Sequence, residues 1–145
     1  MTDSPATVFE GGETYRQIVA QLQDAVVVAD KDEYIRVWNR GAEILFGFSA
    51  QEAIGARLDL IVPERFWPSH DKGFRRAIAA GQLKTEGRIL TTRANHKYGC
   101  RLYVDFSFSL LRSAGGEVLG VIAVGRDVTA KHLEGVAAKV ADRQP

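Results

Sequence analysis

The spacing of apolar residues changes along the chain from a helical period to an alternating one. Over residues 13–23 the apolar positions recur at i, i+3, i+4 and i+7, at Tyr15, Ile18, Val19 and Leu22. This spacing predicts one face of a short amphipathic helix. Two β-rich runs follow at 25–29 and 34–38, and the polar turn between them predicts a hairpin. In the second run, Tyr34, Arg36 and Trp38 are expected on one face, opposite Ile35 and Val37.

Helix signals then fill the middle of the chain. Asn39 can cap a helix over residues 41–46, and Gly47 can end it. Ser49 and Glu52 have the spacing of a capping box for a second short helix. The longest predicted helix covers residues 68–80, with a proline in its first turn and a glycine after its last.

The last half of the chain is β-rich. Strands are predicted at 87–92, 101–111 and 118–128, followed by a helix from residue 129. The middle strand alternates, with Leu102, Val104, Phe106, Phe108 and Leu110 on its apolar face. Five strands with helices inserted after the second predict an α+β, antiparallel fold.

Composition fits one small domain and excludes several classes of protein. The 145 residues are 46% hydrophobic, and the net charge of +1 disfavours a general nucleic-acid-binding surface. The single cysteine, Cys100, excludes an internal disulfide and favours a reducing, cytoplasmic compartment. Neither a signal peptide nor an apolar run long enough to span a membrane is present in the sequence.

Two stretches resemble the PAS (Per-Arnt-Sim) family of sensory domains. The first runs from Trp38 and Asn39 to Gly55, and the second is 120–129, with Asp127 two residues before a threonine. The resemblance covers residues 13–129 and implies a five-stranded antiparallel sheet, helices on one face, and flanking N- and C-terminal helices. It implies a non-enzymatic module whose sheet cups a ligand or partner. Asn39, Gly47, Gly55 and Asp127 can also be read simply as caps and turns.

His70 is the candidate cofactor ligand. It shares an apolar helix stripe with Phe74, Ala77 and Ile78, which predicts that it faces inward. A neutral imidazole on the inner wall of a pocket is what an axial haem ligand requires. The alternative is an ordinary core histidine in a pocket that is empty or holds another ligand.

The segment from Pro63 to Asp71 also resembles the oxygen-sensing haem PAS domains of rhizobial kinases. That resemblance implies haem b bound through His70, with Arg76 near a propionate and Arg88 as the distal arginine. The spacing from His70 to Arg88 is two residues shorter than in those sensors. Apolar side chains expected on the distal wall are Ile89, Leu90, Leu110, Ile122 and Val124.

Other chemistries have weaker support in the sequence. A flavin photosensor needs a reactive cysteine on a helix, whereas Cys100 begins a predicted strand. Redox flavin binding stays open, with Trp38 and Trp67 as candidate stacking partners. The three histidines lie in separate elements without metal-ligand spacing, so a metal site or an enzyme acting through His70 is the weakest prediction.

The predicted organisation is a flexible tail at 1–12, a PAS sensory domain at 13–129, and a signalling or dimerisation helix and tail at 130–145. Only 16 residues follow residue 129, so an output domain or partner protein is expected to lie elsewhere. The terminal helix carries an apolar stripe at Leu133, Val136 and Val140, which predicts a homodimer interface unless it covers the chain's own sheet. The alternative function is a cofactor-free or small-organic-ligand PAS module that acts through protein–protein interaction.

Overall fold

The computed structural model describes Phe9 and residues 11–142. In chain order the elements are α1 (Gly12–Gln21), β1 (Ala25–Asp30), β2 (Ile35–Trp38), α2 (Arg40–Phe46), α3 (Ala50–Ala53), two 3₁₀ turns (Leu58–Leu60 and Glu64–Phe66), α4 (Trp67–Ala80), β3 (Leu90–Asn95), β4 (Arg101–Arg112), β5 (Val118–Asp127) and α5 (Thr129–Asp142). Most of the predicted tail at 1–12 lies outside the described residues, as do residues 143–145. The predicted domain limits therefore stay a prediction.

The five strands form one antiparallel sheet in the order β2-β1-β5-β4-β3. The first and last strands are neighbours at its centre, with Ala25 opposite Gly125 and Asp30 opposite Gly120. At the outer end of this pair, Nε and Nη2 of the Arg126 guanidinium each donate to one oxygen of the Asp24 carboxylate at 3.2 Å. The predicted α+β, antiparallel class is confirmed.

The hairpin of β1 and β2 departs from simple alternation. The register shifts between Val28 and Ala29, so that Trp38 and Ile35 are both buried although they lie three residues apart. The prediction that Trp38 and Ile35 occupy opposite faces is therefore wrong. A bulge explains the difference, because one extra residue in a strand reverses the order of the faces beyond it.

Helices and sheet enclose a core on one face of the sheet. Its largest part is built from β2, α2 and the inner face of β4, and includes Ile35, Trp38, Phe46, Val104 and Phe106. A smaller cluster of Ala29, Phe74 and Val121 lies against α4. Between these clusters α4 stands off from the sheet, which leaves space for the cavity described below.

Asn39 joins three elements at the base of the core. Its Oδ1 accepts from the backbone N–H of Ala42 at 2.9 Å, which confirms the predicted cap, and from that of Val26 at 2.8 Å. Its Nδ2 donates to the carbonyls of Val19 at 2.8 Å and Asp24 at 3.0 Å. One buried side chain therefore ties α1, β1 and α2 together.

Strand β3 begins three residues later than the predicted 87–92. Gly87 has a left-handed φ of 79°, and Arg88 donates its backbone N–H to the Thr85 carbonyl at 3.0 Å, so this stretch is a turn. The register of β3 is set from its other end by the hairpin to β4, where Asn95 pairs with Arg101. By contrast, the capping box of Ser49 and Glu52 is formed as predicted.

The last helix is fastened to strand β4 as well as to β5. Asp127 Oδ1 accepts from the backbone N–H of Thr129 at 2.9 Å and from its hydroxyl at 2.6 Å. Thr129 Oγ1 accepts from the backbone N–H of Tyr103 at 3.0 Å. The Tyr103 ring also stacks on His132, with centroids 3.8 Å apart. Of the helices described here, none is both long and apolar enough to cross a membrane.

Candidate functional site

A cavity of about 900 Å³ lies between α4 and the inner face of the sheet. The sheet supplies an apolar floor made of Val27, Ala29, Phe106, Phe108, Val121 and Ala123. The helix supplies the opposite wall, on which His70, Phe74 and Ala77 face the cavity as their helical spacing predicts. The loop after α4, residues 82–85, lines the rim.

The structure brings four of the predicted site residues to the cavity and leaves the others outside it. The four are His70, Phe74, Arg76 and Leu90, whereas the lining does not include Arg88, Ile89, Leu110, Ile122 or Val124. Arg88 lies on the exposed turn before β3, where its guanidinium donates to the carbonyl of Lys84 at 2.9 Å. Arg88 therefore lies outside the cavity lining, and its role as the distal arginine stays a prediction.

Strand geometry explains why Leu110 and Ile122 do not line the cavity. Val121 and Ala123 face the cavity, so Ile122 between them points to the other face of the sheet. Leu110 lies on the inner face but beyond the cavity, packed against the small cluster that includes Phe74 and Val121. Phe106 and Phe108, on the same apolar face of β4, line the cavity instead, and the alternation of β4 was the signal that could have found them.

The charged side chains of the cavity lining are cationic. Arg76, Lys84 and Arg93 belong to the lining, whereas none of its described residues is an aspartate or glutamate. Lys84 was missed from the sequence because the loop that carries it has no periodic pattern. The distribution favours a ligand with an apolar body and a negatively charged end.

Glu33 lies directly behind His70, although it comes from the distant turn between β1 and β2. The residue is 3% exposed, and its Oε1 lies 3.2 Å from His70 Nδ1. Its Oε2 accepts from the Arg57 guanidinium at 2.9 Å. The sequence gives no local signal for this contact, because a glutamate in a polar turn is ordinarily exposed.

Burial controls the charge of this pair. It raises the pKa of Glu33 to about 7; the adjacent Asp71 carboxylate adds to the rise, and the Arg57 guanidinium opposes it. Burial also lowers the pKa of His70 below its usual range, and the carboxylates of Asp59 and Asp71 only partly oppose this. His70 is therefore held as a neutral imidazole at neutral pH, the form that can offer a nitrogen lone pair.

The residues considered for other cofactors lie away from the cavity. Trp38 is buried in the core and donates its indole N–H to the Phe48 carbonyl at 2.9 Å, and Trp67 donates to the Val62 carbonyl at 2.7 Å. Neither lines the cavity, and Cys100 is exposed beside the β3–β4 turn. Among the described residues, no group of three His, Cys, Asp or Glu side chains could hold a metal ion.

Known proteins resemble this chain both in sequence and in fold. The sequence pattern of the PAS fold matches residues 13–128. The chain belongs to the PAS family. The PAS domain of a protein from Colwellia psychrerythraea superposes with a TM-score of 0.70 at 21% identity, over 81% of this chain and 97% of that one.

Two curated relatives are described as sensors. The oxygen sensor protein DosP of Escherichia coli is 28% identical over 113 residues, or 78% of this PAS chain. The sensor protein FixL of Bradyrhizobium diazoefficiens is 36% identical over 102 residues, or 69% of the chain. The matched segments make up only 14% and 20% of those two proteins, so the likeness concerns their PAS portions. The protein is thus a PAS sensory module.

Proposed function

We propose that this PAS domain binds haem b in the cavity, with His70 as the iron ligand, and senses a diatomic gas or a redox change. The observation that carries the proposal is the position of His70 on the wall of an apolar cavity of about 900 Å³, where burial lowers the pKa of its imidazole. That volume falls within the range of roughly 300–1,000 Å³ common for cofactor and ligand sites. The likeness to DosP, described as an oxygen sensor, supports the same proposal.

The residues present fit the group. With Nδ1 turned toward Glu33, Nε2 is the nitrogen of His70 left to bind iron. The phenylalanines of β4 would exclude water from the ring, and the cationic Arg76 and Lys84 would pair with the propionates. When bound, haem supplies an iron atom that takes a diatomic ligand or an electron. Among the described residues of the lining there is no carboxylate that would repel the propionates.

The test is the visible absorbance of the protein purified after expression with a haem precursor. We expect a Soret band at near-stoichiometric haem in the wild type and its loss in His70→Ala, because the variant has no iron ligand on the cavity wall. His132→Ala is the matched control, since His132 lies on the opposite face of the sheet and should leave the band unchanged. A colourless wild-type protein that also fails to take up added hemin would contradict the haem proposal.

A second candidate ligand is an organic carboxylic acid with an apolar chain. The cationic side chains of the cavity lining and the apolar floor favour it independently of His70. Titration of the colourless protein with straight-chain carboxylic acids, followed by thermal denaturation, tests this candidate. Saturable stabilisation of the wild type that is weaker in Arg76→Gln would support this candidate. The same response in the wild type and in Arg76→Gln would contradict it.

We further propose that the domain signals as a homodimer through its flanking helices. Tyr15 and Ile18 on α1 and Leu133, Val136 and Val140 on α5 are between 46% and 61% exposed. These faces do not cover the chain's own sheet, and a second copy would remove them from water. The output domain or partner protein, and the cytoplasmic location, stay predictions.

Charge placed on the exposed stripe should break the dimer. We expect Leu133→Glu with Val136→Glu to be monomeric by sedimentation at concentrations where the wild type is dimeric, because like charges would meet across the interface. Lys131→Glu, on the other side of α5, is the control and should stay dimeric. A wild type that is monomeric at high micromolar concentration contradicts the proposal.

A further inference from the structure

We infer that Glu33 is a positioning residue for His70. Its carboxylate accepts a hydrogen bond from the protonated Nδ1 of the imidazole ring, so that the unprotonated Nε2 faces the cavity. The inference rests on the proposed function only for the identity of the group that Nε2 binds, which is haem iron in that proposal. The arrangement of the two side chains can be measured without any ligand.

When Glu33 is ionised it cannot donate to the neighbouring Asp71 carboxylate, and its contacts then leave one oxygen as a free acceptor beside His70. Oε2 is held by Arg57 at 2.9 Å, whereas Oε1 is buried and has no hydrogen bond to any described protein group. Nδ1 of His70 lies 3.2 Å from Oε1 and can donate to it. Buried polar atoms are rarely left without a partner, so an N–H on Nδ1 is the group that satisfies Oε1. The tautomer of a histidine is set by the hydrogen bond that its other nitrogen makes.

The backbone at Glu33 supports a specific role. Its φ of 69° lies in the left-handed region, which a residue with a side chain adopts at a cost of about 1–3 kcal/mol. Glycine would take this conformation without strain. Hydrogen bonds hold the turn, since Leu58 donates its backbone N–H to the Glu33 carbonyl at 2.9 Å and Glu33 donates its own to Asp30 at 3.0 Å. A buried carboxylate therefore occupies a position where the backbone favours glycine.

The chemistry of metal-bound histidine gives this contact a consequence. A carboxylate that accepts from the distal ring nitrogen fixes the ring and makes the ligating nitrogen more basic. Removal of such an outer partner weakens metal binding by about 10–100-fold. Glu33 should therefore affect how tightly His70 holds iron without touching the cavity ligand itself.

The first experiment reads the His70 tautomer in the ligand-free protein by long-range ¹H–¹⁵N correlation at pH 8. We expect the Nδ1–H form in the wild type and the Nε2–H form, or a mixture, in Glu33→Gly. Glycine suits the local φ, so this variant should keep the fold, which its amide spectrum checks. Asp59→Asn, which removes a nearby charge paired with Arg57 at 3.5 Å, is the matched control and should leave the tautomer unchanged.

Hemin titration separates this inference from the proposed function. We expect Glu33→Gly to lower hemin affinity by about 10–100-fold, with Glu33→Gln in between because its amide oxygen still accepts. An Nε2–H tautomer in the wild type, or an unchanged tautomer in Glu33→Gly, overturns the inference even if hemin binds through His70. If the tautomer changes as expected but no variant or wild type takes up hemin, the positioning role stands and the haem proposal fails.

Discussion

Replacing Asn39 by alanine is expected to lower the free energy of unfolding by about 3–5 kcal/mol, because several buried groups lose their only side-chain partner. The backbone N–H groups of Val26 and Ala42 lose their shared acceptor, Oδ1. The carbonyls of Val19 and Asp24 lose a donor. Asn39 is 5% exposed, so water cannot readily replace these bonds.

Urea denaturation followed by circular dichroism measures this loss. Asn95→Ala is the control, since Asn95 Nδ2 makes one 3.2 Å bond to the Val62 carbonyl and its loss should cost about 1 kcal/mol. Asn39→Asp keeps the acceptor and removes the donors, so we expect an intermediate loss. Equal losses for Asn39→Ala and Asn95→Ala would show that the junction of α1, β1 and α2 does not depend on this side chain.

The second large effect is a pH-dependent gain in stability for Glu33→Gln. The fold raises the pKa of Glu33 from 4.5 to about 7, so the folded state holds this proton more tightly than the unfolded chain does. The stability that Glu33 contributes is therefore present below pH 4.5 and lost as the pH rises through about 7. Glutamine does not titrate, so the variant should gain up to about 3 kcal/mol relative to the wild type across that window.

Chemical denaturation of both proteins at pH 4.5, 6 and 8 tests the trend. Glu33→Gln also removes the charge that faces Arg57, which shifts the stability of the variant at every pH. The informative quantity is therefore how the difference in free energy of unfolding between the variant and the wild type changes with pH. Glu64→Gln, at an exposed position, should follow the wild type at each pH. Parallel curves for Glu33→Gln and the wild type would mean that Glu33 titrates in the folded protein as it does in the unfolded chain.

Local signals predicted most of the elements. The cap at Asn39, the capping box at Ser49 and the stop at Gly81 depend on residues within three or four positions, and all three are formed. The start of β3 could not be found this way, because hairpin pairing with β4 sets its register. The bulge at Arg36, next to Ile35, is likewise a property of two paired strands rather than of one.

The same distinction applies to the site. Helical spacing placed His70 and Phe74 on the cavity wall, because both lie on one continuous helix. Arg88 follows a loop whose path the spacing does not determine, and Ile122 depends on which face of β5 turns inward. Glu33 meets His70 across 37 positions of the chain, a contact that no local pattern encodes.

The central pairing of β1 with β5 determines how the domain would respond to a mechanical pull. Both ends of the PAS fold leave the sheet at the same end of this antiparallel pair, beside the Arg126–Asp24 ion pair. Force applied through the two flanking helices would load the attachments at Asn39 and Thr129 together with that ion pair. It would then open the strand hydrogen bonds one after another, as in a zipper, instead of shearing them all together. The domain should thus yield at low force from its central strands outward, while the α4 wall and the pairing of β3 with β4 are still intact.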